Sequence, residues 1–159
     1  MNPGDKQQLY DAVLPRVSDL VAGETDIIAV MATVACGLHR AFDYFDWTGF
    51  YRVVEPGLLK IGPYQGTHGC LTIPFDRGVC GAAARLRRTQ IVPDVREFPG
   101  HIACSSSTRS EIVVPVLAPG GTLVGVLDID SDRPAAFDEV DGRNLERICC
   151  LIGGVCMGD

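Results

Sequence analysis

Five residues able to move electrons or protons crowd into the stretch Gly62–Glu111: Cys70, Cys80 and Cys104, with His68 and His101. Each cysteine has glycine, proline or serine close by, which predicts a loop or an element end, where scaffolds present reactive groups. Gly78 and Gly81 bracket Cys80 at the predicted N-terminus of a helix. Unpaired N–H groups and the helix dipole favour an anion there, so the expectation is a thiol of lowered pKa. Cys104, in HIACSSSTRSE, is expected in a polar loop, with His101 and Arg109 close enough in sequence to support a thiolate. Cys70 follows Gly69, and a mobile thiol at that point would suit disulfide formation. Together these positions suggest a nucleophile with resolving partners: thiolate attack, a sulfenic acid, then a disulfide from a second cysteine. A structural zinc site built from Cys70, Cys80, His101 and Cys104 is the competing reading. Nine residues separate Cys70 from Cys80, against about two to four in zinc knuckles, so no metal is expected.

The second constellation is acidic. In VGVLDID, Asp128 and Asp130 stand at i and i+2 of a predicted strand, so both point to one face, opposite Leu127 and Ile129. Carboxylates aimed together are costly unless they meet cations, donors or a ligand. Glu111 opens the neighbouring predicted strand; ordinary surface acids are the bland account of all three. Trp47 and Tyr51, four apart in a strand, share a face and serve either as sheet core or as the wall of a ligand pocket.

The elements that must position these residues follow from periodicity and turn residues. A helix is expected from Asp5 to about Val21, bent or split by Pro15 and ended by Gly23. A second runs from Asp26 to about Phe42 with Thr25 as its N-cap. Trp47–Val54 and Leu58–Gly62 form a hairpin over Glu55-Pro56-Gly57, followed by the GPYQG turn and a short strand at Leu71–Pro74. A helix through Arg87 comes next, then a short strand at Ile91–Val92 and a long polar loop from Asp94 to Ser110. Glu111–Leu117 and Thr122–Asp130 pair over Pro119-Gly120-Gly121, and Asp138 opens a final amphipathic helix. Cys36, Cys149, Cys150 and Cys156 fall in the apolar helical patterns and read as packing. This order of elements predicts an α+β domain, with an antiparallel sheet carrying helices mainly on one face.

Composition bounds the function. With 159 residues, 47% hydrophobic and 21% charged, the chain is long enough for one domain with a true core, residues 1–159. A net charge of -6 opposes a nucleic-acid or anionic-membrane surface, because both require clustered positive charge. The only basic cluster, Arg85, Arg87 and Arg88, fits the outer face of one helix. No apolar run approaches the ~20 residues of a membrane span. The start MNPGDKQQLYDAV has no secretory pattern, and seven cysteines is an odd number, so a reducing, cytoplasmic setting is expected.

The run GPYQG…C…RGVCGAA…VPDV…FPGHIAC…SEIVVPV…GVLDIDS, with WTGFY upstream, resembles the free methionine-(R)-sulfoxide reductases, a family built on a GAF-type domain. The resemblance spans Trp47–Ser131, and the three cysteines separate it from a GAF module that senses a ligand without turnover. It implies a GAF-like fold, reduction of the R-sulfoxide of free methionine, no cofactor, a thioredoxin-like reductant and pairing into a homodimer. It also implies roles. Cys104 in HIAC would be the nucleophile, Cys70 the main resolving thiol and Cys80 a second. Glu111 in SEIV and Asp130 in DIDS would contact the sulfoxide oxygen, Asp128 would help hold the substrate ammonium, and Trp47 and Tyr51 would wall the methyl end. Ser105, where an acidic residue is expected after HIAC, and Tyr64, in place of phenylalanine, depart from the family pattern.

Overall fold

The computed structural model describes residues 1–100 and 106–155. Its centre is a six-stranded antiparallel sheet in the order β3-β2-β1-β6-β5-β4. The strands are β1 Trp47–Glu55, β2 Leu58–Gln65, β3 Thr72–Pro74, β4 Gln90–Val92, β5 Ser110–Leu117 and β6 Leu123–Ser131. Four helices cover it: α1 Pro3–Leu20, α2 Ile27–Ala41, α3 Gly78–Leu86 and α4 Glu139–Val155.

Alternation along the strands sorts side chains into two cores. Phe50, Ile112, Val114, Leu127 and Ile129 face one way and pack with α1, α2 and α4. Trp47, Tyr51, Val113 and Val126 face the other way, beneath α3. Three helices on one face and one on the other agree with the expected architecture. The lone helix α3 matters most, because the acidic residues of β5 and β6 point to its side.

Several boundaries differ from expectation. Helix α1 begins at Pro3, with Asn2 as N-cap accepting from the Asp5 N–H at 2.9 Å, and runs through Pro15 unbroken. Pro15 and Asp11, whose carbonyl loses its donor, are both exposed, so solvent can reach that oxygen while buried Leu14 and Val17 hold the helix down. The N-cap of α2 is Asp26, not Thr25; its Oδ1 accepts from the Ile28 N–H at 2.8 Å. Strand β2 continues through Tyr64 to Gln65, because Thr48 and Gly49 of β1 pair with Gln65 and Tyr64. The GPYQG segment is therefore strand up to Gln65, and the chain turns at Gly66, where φ is +109°.

A buried polar network ties α1 to α4 and to the segment before β1. Asp141, fully buried, accepts from the Tyr10 and Tyr44 hydroxyls at 2.9 and 2.7 Å and pairs with the Lys6 ammonium. Lys6 also donates to the Ala136 carbonyl at 2.7 Å. Every charge in it has a partner, the condition under which a buried ion pair is tolerated. Tyr44 thereby holds the chain just ahead of Asp46 and Trp47, where the site begins.

Candidate active site

Antiparallel register builds the site. Asp130 of β6 pairs with Trp47 of β1 on one side and with Glu111 of β5 on the other. One pair further along β6, Asp128 lies between Gly49 and Val113. All of these residues share the α3 face, so two acids from one strand and one from its neighbour meet beside an aromatic wall. The predicted sharing of a face by Asp128 and Asp130, opposite Leu127 and Ile129, is what the structure has.

The wall is a stack of three rings. Trp47 lies against Tyr51 (centroids 5.8 Å apart, 24° between planes) and against Tyr64 (5.3 Å, 17°). The Trp47 indole N–H donates to the Thr67 carbonyl at 2.9 Å, fastening the loop after β2 over the site. Gly49 makes this possible: a Cβ there would stand 2.4 Å from both Trp47 Cη2 and Tyr64 Cβ. A glycine between aromatics in WTGFY is a sequence signal of such close approach, one that strand alternation alone does not use. At the start of α3, a Cβ on Gly81 would meet the Pro74 and Phe75 carbonyl oxygens at 2.8 Å, so glycine lets the helix dock and carry Cys80 inward.

These parts enclose a cavity of about 250 Å³ lined by Trp47, Tyr51, Cys80, Glu111, Asp128 and Asp130, with His68, Gly69, Thr108, Asp46 and Asp132 further round it. That is smaller than the roughly 300–1,000 Å³ of drug-sized pockets, so the site suits a small metabolite. Sequence reasoning missed Asp46 and Asp132. Asp46 is placed by tertiary contacts, since its carboxylate accepts from the Asp132 N–H at 2.8 Å and the Ser131 hydroxyl at 3.3 Å.

Burial decides the electrostatics. Glu111 and Asp128 are each only 6% exposed. Desolvation first, then Asp128 and Asp130, push the Glu111 carboxyl well above the usual range. Asp130 is raised by burial and by the neighbouring charges of Asp128, Asp132 and Asp46. Burial raises Asp128 to about 7, while hydrogen bonds from Cys80 and Glu111 hold it lower than burial alone would. Asp128 therefore ionises most readily, and Glu111 keeps a proton beside it. Asp128 Oδ1 is buried without a hydrogen-bond partner among the described residues.

Asp128 thus binds a proton in the folded chain that the unfolded chain has released. The stability this supplies is full below the usual 3.8 and disappears as pH rises through about 7. Over that interval it amounts to roughly 4 kcal/mol. Asp128→Asn is expected to raise Tm by about 8–16 °C near pH 8 and to leave it little changed near pH 4. Equal shifts at both pH values, followed by calorimetry, would count against the buried charge.

The cysteines divide differently from expectation. Cys80 is 3% exposed, and burial together with Asp128 and Glu111 raises its pKa well above a free thiol's. The expected lowering at a helix N-terminus is reversed, because desolvation and two carboxyls outweigh the dipole. Cys70 is disulfide-bonded, whereas Cys36, Cys80, Cys149 and Cys150 are free thiols. A disulfide sulfur is not a zinc ligand, which removes Cys70 from the four-ligand reading. Cys36 and Cys150 are exposed rather than packed, since their helices bury only one stripe; Cys149 is buried as expected. Cys104, His101 and Cys156 lie outside the described residues.

Comparison with known proteins decides the family. Residues 24–154 match the GAF domain model. The chain is 37% identical to the free methionine-R-sulfoxide reductase of Saccharomyces cerevisiae, covering 96% of this chain and 88% of that protein. It superposes with a TM-score of 0.90 and 44% identity on the free methionine-R-sulfoxide reductase of Neisseria meningitidis in complex with its substrate, over 96% of this chain and 90% of that one. This chain belongs to the free methionine-R-sulfoxide reductase family of GAF domains. It is also 45% identical to GAF domain-containing protein A of Dictyostelium discoideum, over 96% of this chain and 95% of that protein. Family membership agrees with the α+β fold and with the resemblance carried by WTGFY, the three cysteines and DIDS.

Proposed function

We propose that the protein reduces free L-methionine-(R)-sulfoxide to L-methionine, through a cysteine sulfenic acid and an intramolecular disulfide, in one catalytic domain of residues 1–159. The observation that carries this reading is a small cavity with an aromatic wall, Trp47 and Tyr51, facing three acids, Glu111, Asp128 and Asp130. A sulfoxide has a methyl group that suits the wall and an oxygen that must be protonated before it leaves.

In this mechanism Cys104 attacks the sulfoxide sulfur as a thiolate. Glu111, hydrogen-bonded to Asp128 and holding its proton by burial, delivers it to the sulfoxide oxygen with Asp130 alongside. The hydroxyl then passes from the substrate sulfur to Sγ of Cys104: the transient S–S bond and the S–O bond to methionine break as the Cys104 S–O bond forms, so methionine departs and Cys104 is left as the sulfenic acid. Cys70 then attacks that sulfur, water leaves, and a disulfide forms. The disulfide carried by Cys70 supports its resolving role, with Cys80 as a second resolving thiol. The unpartnered Oδ1 of Asp128 supports an interaction with the substrate ammonium. A free amino acid brings that cation, whereas a residue within a chain does not.

A thioredoxin-like dithiol in the cytoplasm would return the disulfide to thiols. Pairing of two copies through the helices is supported by an apolar groove between α1 and α2, where Leu20 is 66% exposed and Cys36 lies at the surface. No helix among the described residues is long and apolar enough to cross a membrane.

The deciding assay compares turnover of the R and S forms of free methionine sulfoxide with a peptide-bound form. Only the free R form is expected to react, and equal turnover of the peptide-bound form would overturn the reading. Cys70→Ser is expected to slow turnover with thioredoxin far more than with a small dithiol, which can reduce the sulfenic acid directly. Equal losses with both reductants would remove Cys70 from the resolving step.

A further inference from the structure

Three potential metal donors converge at the floor of the cavity. The Sγ of Cys80, one carboxylate oxygen of Glu111 and one of Asp128 all lie within 4.8 Å of one another. All three residues are buried, none more than 6% exposed, and all line the same cavity. An acidic cluster alone would say little, but Asp128 Oδ1 is buried with no hydrogen-bond partner among the described residues. A buried oxygen in that condition is unfavourable until a donor or a cation reaches it.

The donor set selects the kind of cation. Mg²⁺ and Ca²⁺ take six or more oxygens, whereas one thiolate with two carboxylates suits a borderline-soft ion of low coordination number. Zn²⁺ binds thiolate at about 2.3 Å and carboxylate at about 2.0–2.2 Å, so its ligand atoms stand ~3.5 Å apart in a tetrahedron. Because the three atoms already lie within 4.8 Å of one another, no pair is more than ~1.3 Å wider than that spacing. The fourth position would remain for water, the pattern of an open rather than a structural site. On binding, the thiol proton and any carboxyl protons pass to solvent, and the dication offsets the negative charge left behind.

We propose that Cys80, Glu111 and Asp128 form a binding site for a thiophilic divalent cation, Zn²⁺ foremost, whose occupancy excludes the amino-acid substrate from the cavity. The binding half stands on the three donors alone; the exclusion half rests on the function proposed above. The ion is a competitor for the site rather than a cofactor. Because Cys80 is a free thiol while Cys70 is disulfide-bonded, the site persists in the disulfide form of the protein.

Co²⁺ added to the full-length disulfide form tests the binding half. One equivalent is expected to produce a thiolate-to-cobalt charge-transfer band with the visible bands of tetrahedral geometry, all displaced by Zn²⁺ and unaffected by excess Mg²⁺ or Ca²⁺. Cys80→Ser should abolish the charge-transfer band, while Cys36→Ser and Cys150→Ser should keep it. Glu111→Gln and Asp128→Asn should each weaken Zn²⁺ by at least the roughly 10–100-fold that loss of a mere outer-shell partner costs. No band in the unsubstituted protein, or a band that survives Cys80→Ser, would overturn the site. For the exclusion half, single turnovers of pre-reduced enzyme without free dithiol should need more sulfoxide to reach half-maximal rate as Zn²⁺ is added, with an unchanged plateau. A lowered plateau with no change in half-saturation would overturn shared occupancy. Absence of reductase activity in metal-free protein would remove the proposed function, while the cobalt spectrum would still decide for or against the metal site.

Discussion

Cys104→Ser is expected to abolish reduction of free methionine-(R)-sulfoxide with thioredoxin and with small dithiols alike. Serine presents a hydroxyl that is not ionised near neutral pH, and the S–S chemistry of the resolving step has no counterpart on oxygen. A loss of at least about 10³-fold in kcat/KM, or about 4 kcal/mol of transition-state stabilisation, is the anticipated scale. Loss with both reductants separates the nucleophile from a resolving thiol, whose removal spares the small-dithiol reaction. Substantial single-turnover formation of methionine by the serine protein would transfer the nucleophilic role elsewhere. Cys80 would be a poor heir, since burial and the adjacent carboxyls hold its thiol protonated.

Glu111→Gln is the second large effect. Positioned general acids contribute roughly 10²–10⁴-fold, and glutamine preserves shape and hydrogen bonding while holding no transferable proton. The chemical step should slow by about that factor, with substrate affinity much less affected. The pH profile carries the sharper information. A carboxyl that must be protonated to act works below its pKa, so the rate of the unsubstituted enzyme falls as pH rises. The three acids titrate as one system, with Asp128 near 7 and Glu111 and Asp130 well above the usual carboxylate range. Single-turnover rates should therefore decline on the alkaline side, and Glu111→Gln should flatten that decline. An identical alkaline limb in the glutamine protein would assign the proton to another group.

The acids to which we assign this chemistry also weaken the fold near neutral pH, because three carboxyls are gathered where each opposes ionisation of the others. Asp128→Asn is expected to be more stable and less able to hold the substrate ammonium. Greater stability at the expense of the site is the usual exchange at a functional centre.

Much of this arrangement was legible from the chain because it depends on near neighbours. The two-residue period of a strand puts Asp128 and Asp130 on one face and Leu127 and Ile129 on the other, and the same rule sets Trp47 beside Tyr51. Turn glycines marked the hairpins, and helical spacing marked all four helices to within a few residues. Where local rules failed, an environment supplied from elsewhere had won: exposure lets α1 run through Pro15, and pairing with β1 draws β2 on to Gln65. The direction of the Cys80 shift failed for the same reason. A helix N-terminus favours a thiolate only when solvent or cations are near, and here α3 drives Cys80 against carboxyls from β5 and β6.

Which residues share a face, and which element carries each of them, could be read from the chain alone, because side-chain direction follows from backbone repeat over a few residues. Folding had to supply the rest: the cross-strand row of Trp47, Asp130 and Glu111, the meeting of Cys80 with Asp128, and the outward turn of Cys36 and Cys150. Register, burial and the field at each acid are set by groups tens of residues apart in the chain, and no local period encodes them.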